Sequence, residues 1–354
     1  MANKRTRNNS FVVIAIALLT IGFSYTPWFE RLSVVSTDLL LLARHQFIGQ
    51  TQPPEKSDTV VIAVDEQTYH TEPFAKLPKV LWTPMIAKVQ DAALKAGAKV
   101  IGYDIIFPTS LESYLKGYEK PFLLSLLKAS RQNKVVLGKV QHSENPVAPH
   151  ASQSFVLKNA KNIRALTMSV DVDDVIRRIP LQFKTEAGGL ENSMALELAS
   201  RAANLQLETR EDDNHFFGEY VIPGDLKHGP LINYQGGSDI PTYSLSDLYA
   251  CVESGNQEFF EKNFAGKVVM LGGVLDVEDR KLTSKRWMTS EKGTAAYIER
   301  CTDQKPVKKL KQVRRDSIPG VFITATAVNN FLNQDFLRTL PDIAVKVILV
   351  IVVI

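Results

Sequence analysis

The sequence predicts an α/β fold: a mixed, mainly parallel sheet with flanking helices, bracketed by an N-terminal transmembrane helix and the start of a second one. Three observations carry this. Residues 59–65, 99–104 and 267–272 are short apolar runs of strand length, the pattern of strands buried on both faces. Between the first two, residues 84–96 have helical periodicity and stop at Gly97, giving a strand–helix–strand unit whose crossover is right-handed. Both ends of the chain are apolar: residues 11–23 behind Lys4, Arg5 and Arg7, and, after Pro341, residues 343–345 and 347–354.

The 354 residues are 45% hydrophobic and 23% charged, with room for one large domain or two ordinary ones between the apolar ends. The net charge is +4, and Lys4, Arg5 and Arg7 supply three of those charges before any acidic residue occurs. The rest is nearly neutral, which argues against nucleic acid as a partner. Basic residues beside the first apolar run put the N-terminus in the cytoplasm and the middle of the chain outside the inner membrane, in the periplasm or beyond. A cleaved signal peptide is the alternative, but Ser24-Tyr25-Thr26-Pro27 is no small-x-small cleavage site. Trp28 and Phe29 instead suit an anchor at the outer headgroups.

The chain then divides into a basic cytoplasmic leader (1–10), a transmembrane helix (11–29), an outside domain (30–340) and the start of a second transmembrane helix (341–354). A span needs about 20 apolar residues, so the chain is expected to stop inside that second helix. Cys251 and Cys301 are an even pair in an oxidising compartment and hence a candidate disulfide. The alternative is two unrelated thiols; the topology favours the bridge.

Residues 36–47 read as a helix opened by Ser or Thr, apolar nearly all round. After the proline-containing link 49–57 comes the strand 59–65, then the helix 84–96 and the strand 99–104. A second cycle places a helix at 121–130 and a strand at 134–140. Residues 141–165 look like loop. Strands are expected at 166–170 and 178–183 around the turn Asp171-Val172-Asp173-Asp174, and an alanine-rich helix at 192–205. Residues 215–222 and 231–234 look strand-like, 244–252 a helix capped by Ser244, and 267–272 a buried strand. Residues 276–316 form a charged, irregular insertion. The apolar residues 318–325 then lead into a helix reaching Leu340.

Three strands end in polar elbows, at Asp65, at Asp104 and at Gly272-Gly273, and ligands of open α/β sheets sit outside the carboxyl ends of strands. Asp65 and Asp104 close consecutive strands of one βαβ unit, so they are expected side by side, able to hold a cation, share a proton or accept hydrogen bonds from a ligand. The plainer alternative is two turn-capping aspartates. The six histidines are scattered without helical pairing, so no metal site is predicted. No phosphate-binding loop, dinucleotide fingerprint or nucleophile elbow occurs, so neither cofactor nor catalytic residue is assigned. Lys305, Lys308, Lys309, Lys311, Arg314 and Arg315 form a basic run, read as a solvated loop or a contact for lipid headgroups or an acidic partner.

Several stretches together resemble the extracellular sensor domain called CHASE type 2. They are Val60-Val61-Ile62-Ala63-Val64-Asp65, Ala96-Gly97-Ala98-Lys99-Val100-Ile101-Gly102-Tyr103-Asp104-Ile105-Ile106-Phe107 and Asp173-Asp174-Val175-Ile176-Arg177-Arg178-Ile179-Pro180-Leu181. Ile232-Asn233-Tyr234-Gln235-Gly236, Gly266-Lys267-Val268-Val269-Met270-Leu271-Gly272, the stretch from Asp276 to Thr283 and Ile318-Pro319-Gly320-Val321 complete the set. Two positions depart from the family pattern: Met85-Ile86 follow Trp82-Thr83-Pro84, and Thr324 stands where the family often has histidine.

The resemblance implies an outside sensor framed by membrane helices, with a cyclase or kinase as cytoplasmic output. The insertion with Glu278-Asp279-Arg280-Lys281 is most similar to the versions attached to adenylate or guanylate cyclases. It implies a sensory input domain, working as a homodimer, that takes a small molecule or protein as ligand. The site residues on this reading are Asp65, Asp104, Gly272 and Gly273. The alternatives are an anchored enzyme with a carboxylate or metal site, or an envelope interaction protein.

Overall fold

The computed structural model describes residues 2–353 apart from 142–145, 159, 186–187, 211–213, 225–227, 289–294 and 303–315. Two helices come first, α1 (Ala2–Phe23) and α2 (Pro27–Phe47), set at 75° across a short break. Pro27 opens α2, where its missing N–H would have no helical partner anyway. Two βα cycles follow: β1 (Thr59–Val64), the short α3 (Glu66–His70), α4 (Thr83–Lys95), β2 (Val100–Asp104), α5 (Lys120–Arg131) and β3 (Val135–Lys139). Next are α6 (Ala151–Leu157), β4 (Ile163–Ala165), β5 (Val175–Ile176) and the hairpin β6 (Gln182–Lys184) and β7 (Leu190–Asn192). Helix α7 (Met194–Ala203) leads to the small antiparallel sheet of β8 (Leu207–Thr209), β9 (His215–Phe217) and β10 (Tyr220–Ile222). Then come β11 (Ile240–Ser244), α8 (Leu245–Glu253), α9 (Gln257–Phe264) and β12 (Val268–Gly273). The chain finishes with β13 (Arg280–Thr283), β14 (Ala295–Tyr297), β15 (Ser317–Pro319), α10 (Gly320–Asn333) and α11 (Asp342–Val353).

The main sheet has seven strands in the order β14-β11-β1-β12-β2-β3-β4, and each neighbouring pair is parallel. Strand periodicity sorts its side chains into two cores. Val61, Ala63, Val100, Val136, Val268 and Met270 face α7 and α10. Val60, Ile62, Ile101, Tyr103, Val269 and Leu271 face α4, α5, α8 and α9. The antiparallel pairings lie in small side sheets, so the predicted mixed sheet is a parallel one with separate antiparallel additions.

The elements expected between 59 and 140 and between 244 and 273 are matched within a residue or two, whereas the helix expected over 36–47 starts at Pro27 and the helix expected to reach Leu340 stops at Asn333. The other differences lie in short pieces. Residues 141–165, read as loop, contain α6 and the edge strand β4. The strand expected at 166–170 does not form, the one expected at 178–183 is reduced to β6 while β5 pairs with β13, and the one expected at 231–234 is reduced to isolated bridges at Leu231. β11 carries Pro241, Thr242 and Ser244 and has no apolar run to announce it, yet it pairs beside β1. The charged stretch 276–316 supplies β13 and the sheet edge β14. Among the described residues no single helix is long and apolar enough to cross a membrane alone. The span expected over 11–29 is interrupted where α1 gives way to α2, and residues 343–352 are a shorter apolar helix that packs beside α1, with Lys346 donating to Tyr25 in the break after α1.

Helix α2 is held to the domain by a buried charge cluster. Asp38 takes a two-pronged contact from Arg177, Nε to Oδ1 at 2.9 Å and Nη2 to Oδ2 at 2.8 Å. Arg177 also donates to Asp171 (2.9 Å) and to both oxygens of Asp173 (2.7 and 2.8 Å), so all five of its N–H donors are used. Burial alone would lower the Arg177 pKa; the bonds to Asp173, Asp38 and Asp171 outweigh it and raise the value. Arg286 adds a second cation at 2.7 Å from Asp38. Arg177→Ala leaves three carboxylates around an empty site, and breaking a buried pair costs about 3–5 kcal/mol. Arg286 still faces Asp38, so a loss near the low end, about 3 kcal/mol, is expected in urea denaturation. A loss under about 1 kcal/mol would mean the cluster is not what fixes α2.

Cys251 on α8 and Cys301 beyond β14 are bonded, with Cα atoms 5.6 Å apart and a separation of 50 positions in sequence. Asp247 reinforces the closure by accepting from the backbone N–H of Cys301 at 2.8 Å. The chain-entropy model gives about 4 kcal/mol for closing a loop of this size. Replacing both cysteines by serine should remove roughly that much, and thiol titration of unreduced protein should find no free sulfhydryl.

Candidate functional site

The carboxyl ends of β1, β12 and β2 lie side by side in that order. Asp65 and Asp104 are therefore not on neighbouring strands, as their sequence proximity suggested. β12 stands between them, with Gly272 opposite both Ala63 and Asp104, and Gly273 opposite Val64. Hydrophobic runs mark strands but carry no information on the order in which they pair.

Asp65 is a structural fastener. It is buried at the N-cap of α3, and its Oδ1 accepts from the Thr68 N–H (2.9 Å), the Thr68 hydroxyl (2.8 Å) and the Ser244 hydroxyl (2.9 Å). Its Oδ2 accepts from Tyr297 Oη at 3.0 Å. Ser244, expected to cap α8, stands at the N-cap position but makes no cap bond, because its hydroxyl serves Asp65. The carboxylate thus ties β1, β11 and β14 together and has little left to offer a ligand.

Asp104 is the opposite case. Its Oδ2 is buried and has no hydrogen-bond partner among the described residues. Burial raises its pKa well above the ordinary carboxylate value; the Asp279 carboxylate adds to the rise and Lys281 opposes it. Asp279 and Lys281 stand 3.6 Å apart at their charged ends, and the Asp279 backbone carbonyl accepts from Gly320 N–H, the first residue of α10 (3.0 Å). A Cβ on Gly320 would lie 2.6 Å from the Asp279 carboxylate, so glycine admits that acid to the start of the helix. A Cβ on Gly272 would lie 2.6 Å from Val321, so glycine also lets α10 close on β12. Gly273 is different: a Cβ there meets nothing within 4 Å. The edge therefore offers an acid able to donate a proton, a neighbouring acid–lysine pair and open space.

From this edge α10 runs back beneath the sheet, with each residue from Gly320 to Phe331 buried. Its far end joins a second polar cluster. Arg44 of α2 donates to Asn233 Oδ1 and to the Tyr234 carbonyl, both at 2.6 Å. Asn233 donates to Asp335 (3.0 Å), and Asn330 and Gln52 donate to the same carboxylate at 2.9 and 2.7 Å. Burial pushes the Asp335 carboxyl up against the downward pull of these three bonds. Beside the cluster is a small polar cavity lined by Gln52, Ser57, Asn233, Gln235, Asp239 and Asn329, with room for about one water molecule. The chain leading out of α2 and the chain leading into α11 are thus fastened to one another through Asp335.

Sequence reasoning passed over this second cluster and the Asp38–Arg177 cluster. The signals were present in Asp173-Asp174-Val175-Ile176-Arg177-Arg178 and Ile232-Asn233-Tyr234, but read only as pattern. The basic run at Lys305, Lys308, Lys309, Lys311, Arg314 and Arg315 lies outside the described residues. Among the described residues no three histidine, cysteine or acidic side chains are grouped to hold a metal ion.

Asp104 gives a pH test. The folded chain keeps a proton on this acid that the unfolded chain releases above about pH 4. Its pKa is raised on folding, so stability falls as pH climbs from that value toward the folded pKa. Asp104→Asn holds the neutral shape at all pH and escapes the fall. Its urea midpoint should exceed that of the wild type by a margin that widens as pH climbs above about 4. A margin that stays flat would mean the acid is not held protonated by the fold.

No curated protein and no solved structure matches the chain. A family model for the CHASE2 domain matches residues 12–354. That match runs from α1 through both polar clusters to the end of α11. The chain belongs to the CHASE2 domain family, a family of extracellular sensory domains.

Proposed function

We propose that this chain is the sensory input of a membrane-bound bacterial signalling protein. On this reading the basic leader is cytoplasmic, α1 and α11 enter the inner membrane, and the domain between them lies outside. A small polar ligand binds at the Asp104 edge, accepting a hydrogen bond from the protonated acid and meeting Asp279 and Lys281 beside it. The chain acts as a homodimer and controls a cyclase that makes cyclic AMP or cyclic GMP, the output suggested by the resemblance of its charged insertion.

The observation that carries this reading is the path of α10. One buried helix of 14 residues, about 21 Å long, starts at Asp279 beside the orphan carboxyl and ends in the Asp335 cluster that leads to α11. A ligand that prefers one seating of α10 shifts the populations of the two ends together, and it can do so only by the difference in its affinity for the two seatings.

Gly273→Leu tests this. The substitution fills the open space of the edge without a clash at Cβ. Cyclic nucleotide is measured in cells expressing the full reading frame, with the variant and the wild type at equal protein levels. The expected result is an output changed by at least about fivefold, the range of ordinary allosteric coupling, with the thermal midpoint unmoved. Unchanged output removes the Asp104 edge from the proposal, and absence of any cyclic nucleotide removes the cyclase.

A further inference from the structure

Helix α2 has two faces of different fate. Asp38 and Leu41 point into the domain and are 0% and 4% exposed. Trp28, Leu32, Leu39, Leu40 and Phe47 point away, with Leu40 71% and Phe47 87% exposed. At 3.6 residues per turn these five fall within an arc of about 120° opposite the packed face. Between residues 31 and 48 the chain has one acidic residue, Asp38, and that one is buried. The outward face is therefore a strip of large apolar side chains, about 30 Å long, carrying no negative charge.

What covers the strip follows from its neighbours. α2 continues directly from the apolar α1, and at their junction Lys346 of α11 donates to Tyr25 Oη at 2.9 Å. Arg31 lies over the Trp28 ring at 5.8 Å at the same corner, a pairing of aromatic and basic groups that suits the headgroup layer. The bend between α1 and α2 is 75°. If α1 runs along the membrane normal, α2 lies within about 15° of the bilayer plane, the attitude of an interfacial amphipathic helix.

We infer that α2 is an in-plane lipid-binding helix: its strip from Trp28 to Phe47 rests in the outer headgroup and acyl boundary, while Asp38 ties its other face to Arg177. The inference rests on the membrane reading of α1 given above. It makes the domain sit on the bilayer rather than hang from a tether.

The test uses the whole chain in vesicles of phosphatidylethanolamine and phosphatidylglycerol. A nitroxide is attached in turn at Leu18→Cys, Leu32→Cys, Leu40→Cys and Phe47→Cys, the native disulfide remaining closed. Collisions with oxygen and with a soluble nickel complex then report depth. The expected result is a common shallow depth for positions 32, 40 and 47, agreeing within about 5 Å, with position 18 much deeper. A steady deepening from 47 to 32 would overturn the inference by making α2 part of the span. Free nickel access at all three with position 18 still deep would overturn it by putting the strip in water. Spin–spin broadening at position 40 that disappears on dilution with unlabelled chain would overturn it in favour of a second copy. An aqueous position 18 would instead refute the membrane reading itself.

Discussion

Arg177 is the point on which the arrangement of helices and sheet depends. Its guanidinium is almost wholly enclosed, with each N–H committed to Asp38, Asp171 or Asp173. Such a site is not a generous source of stability, because removing several charges from water offsets most of their mutual attraction. Its value lies in specificity. A helix packed by Leu41 alone could slide by a turn or rotate against the domain at little cost. With Asp38 in place only one register satisfies both the carboxylate and the guanidinium. The turn 171–174 gains its shape from the same requirement, since two of its aspartates must reach one cation.

The helix α10 shows how a parallel sheet can connect two distant polar sites. Its interior residues include Thr324, Thr326, Asn329 and Asn330, all buried, so it is not simply a greasy core element. Asn329 donates to Ser57 at 2.8 Å, and Asn330 accepts from the Asn233 backbone at 2.9 Å. Near the other end, Val321 sits where glycine at 272 leaves room for it. Close packing at one end and saturated hydrogen bonds at the other leave few soft places along the helix. The two ends of the helix are thus joined by a tightly packed, hydrogen-bonded segment with little room for local adjustment.

Much of this fold can be read in the sequence because buried parallel strands are written in unbroken apolar residues. Residues 59–64, 100–104, 135–139 and 268–273 announce themselves in this way, and α4 between the first two has clear periodicity and a glycine stop at Gly97. β11 and β14 do not. They sit toward one edge of the sheet, β11 placed by pairing with β1 and β14 by pairing with β11, so their own composition says little. The candidate site was half legible for a similar reason. Asp65 and Asp104 look alike on paper, each an acid after a strand. They differ only through partners brought from far along the chain: Ser244 and Tyr297 satisfy the first, while Asp279 and the start of α10 leave the second without a bond.

The position of β12 has a bearing on how the chain comes to be folded. Its residues fill the slot between β1 and β2, although they are made more than 160 residues after β2 is complete. Until they arrive, the two earliest strands have an unpaired edge facing a gap and no local partner that fits it. Local contacts therefore cannot finish the sheet, and the search for the last strand is the kind of long-range closure that makes parallel sheets slow to assemble. During synthesis the early half would wait, incompletely paired, for the late half to be made. For a protein of this topology, the period between the emergence of Asp104 and that of Gly273 is the interval in which exposed strand edges need protection from one another.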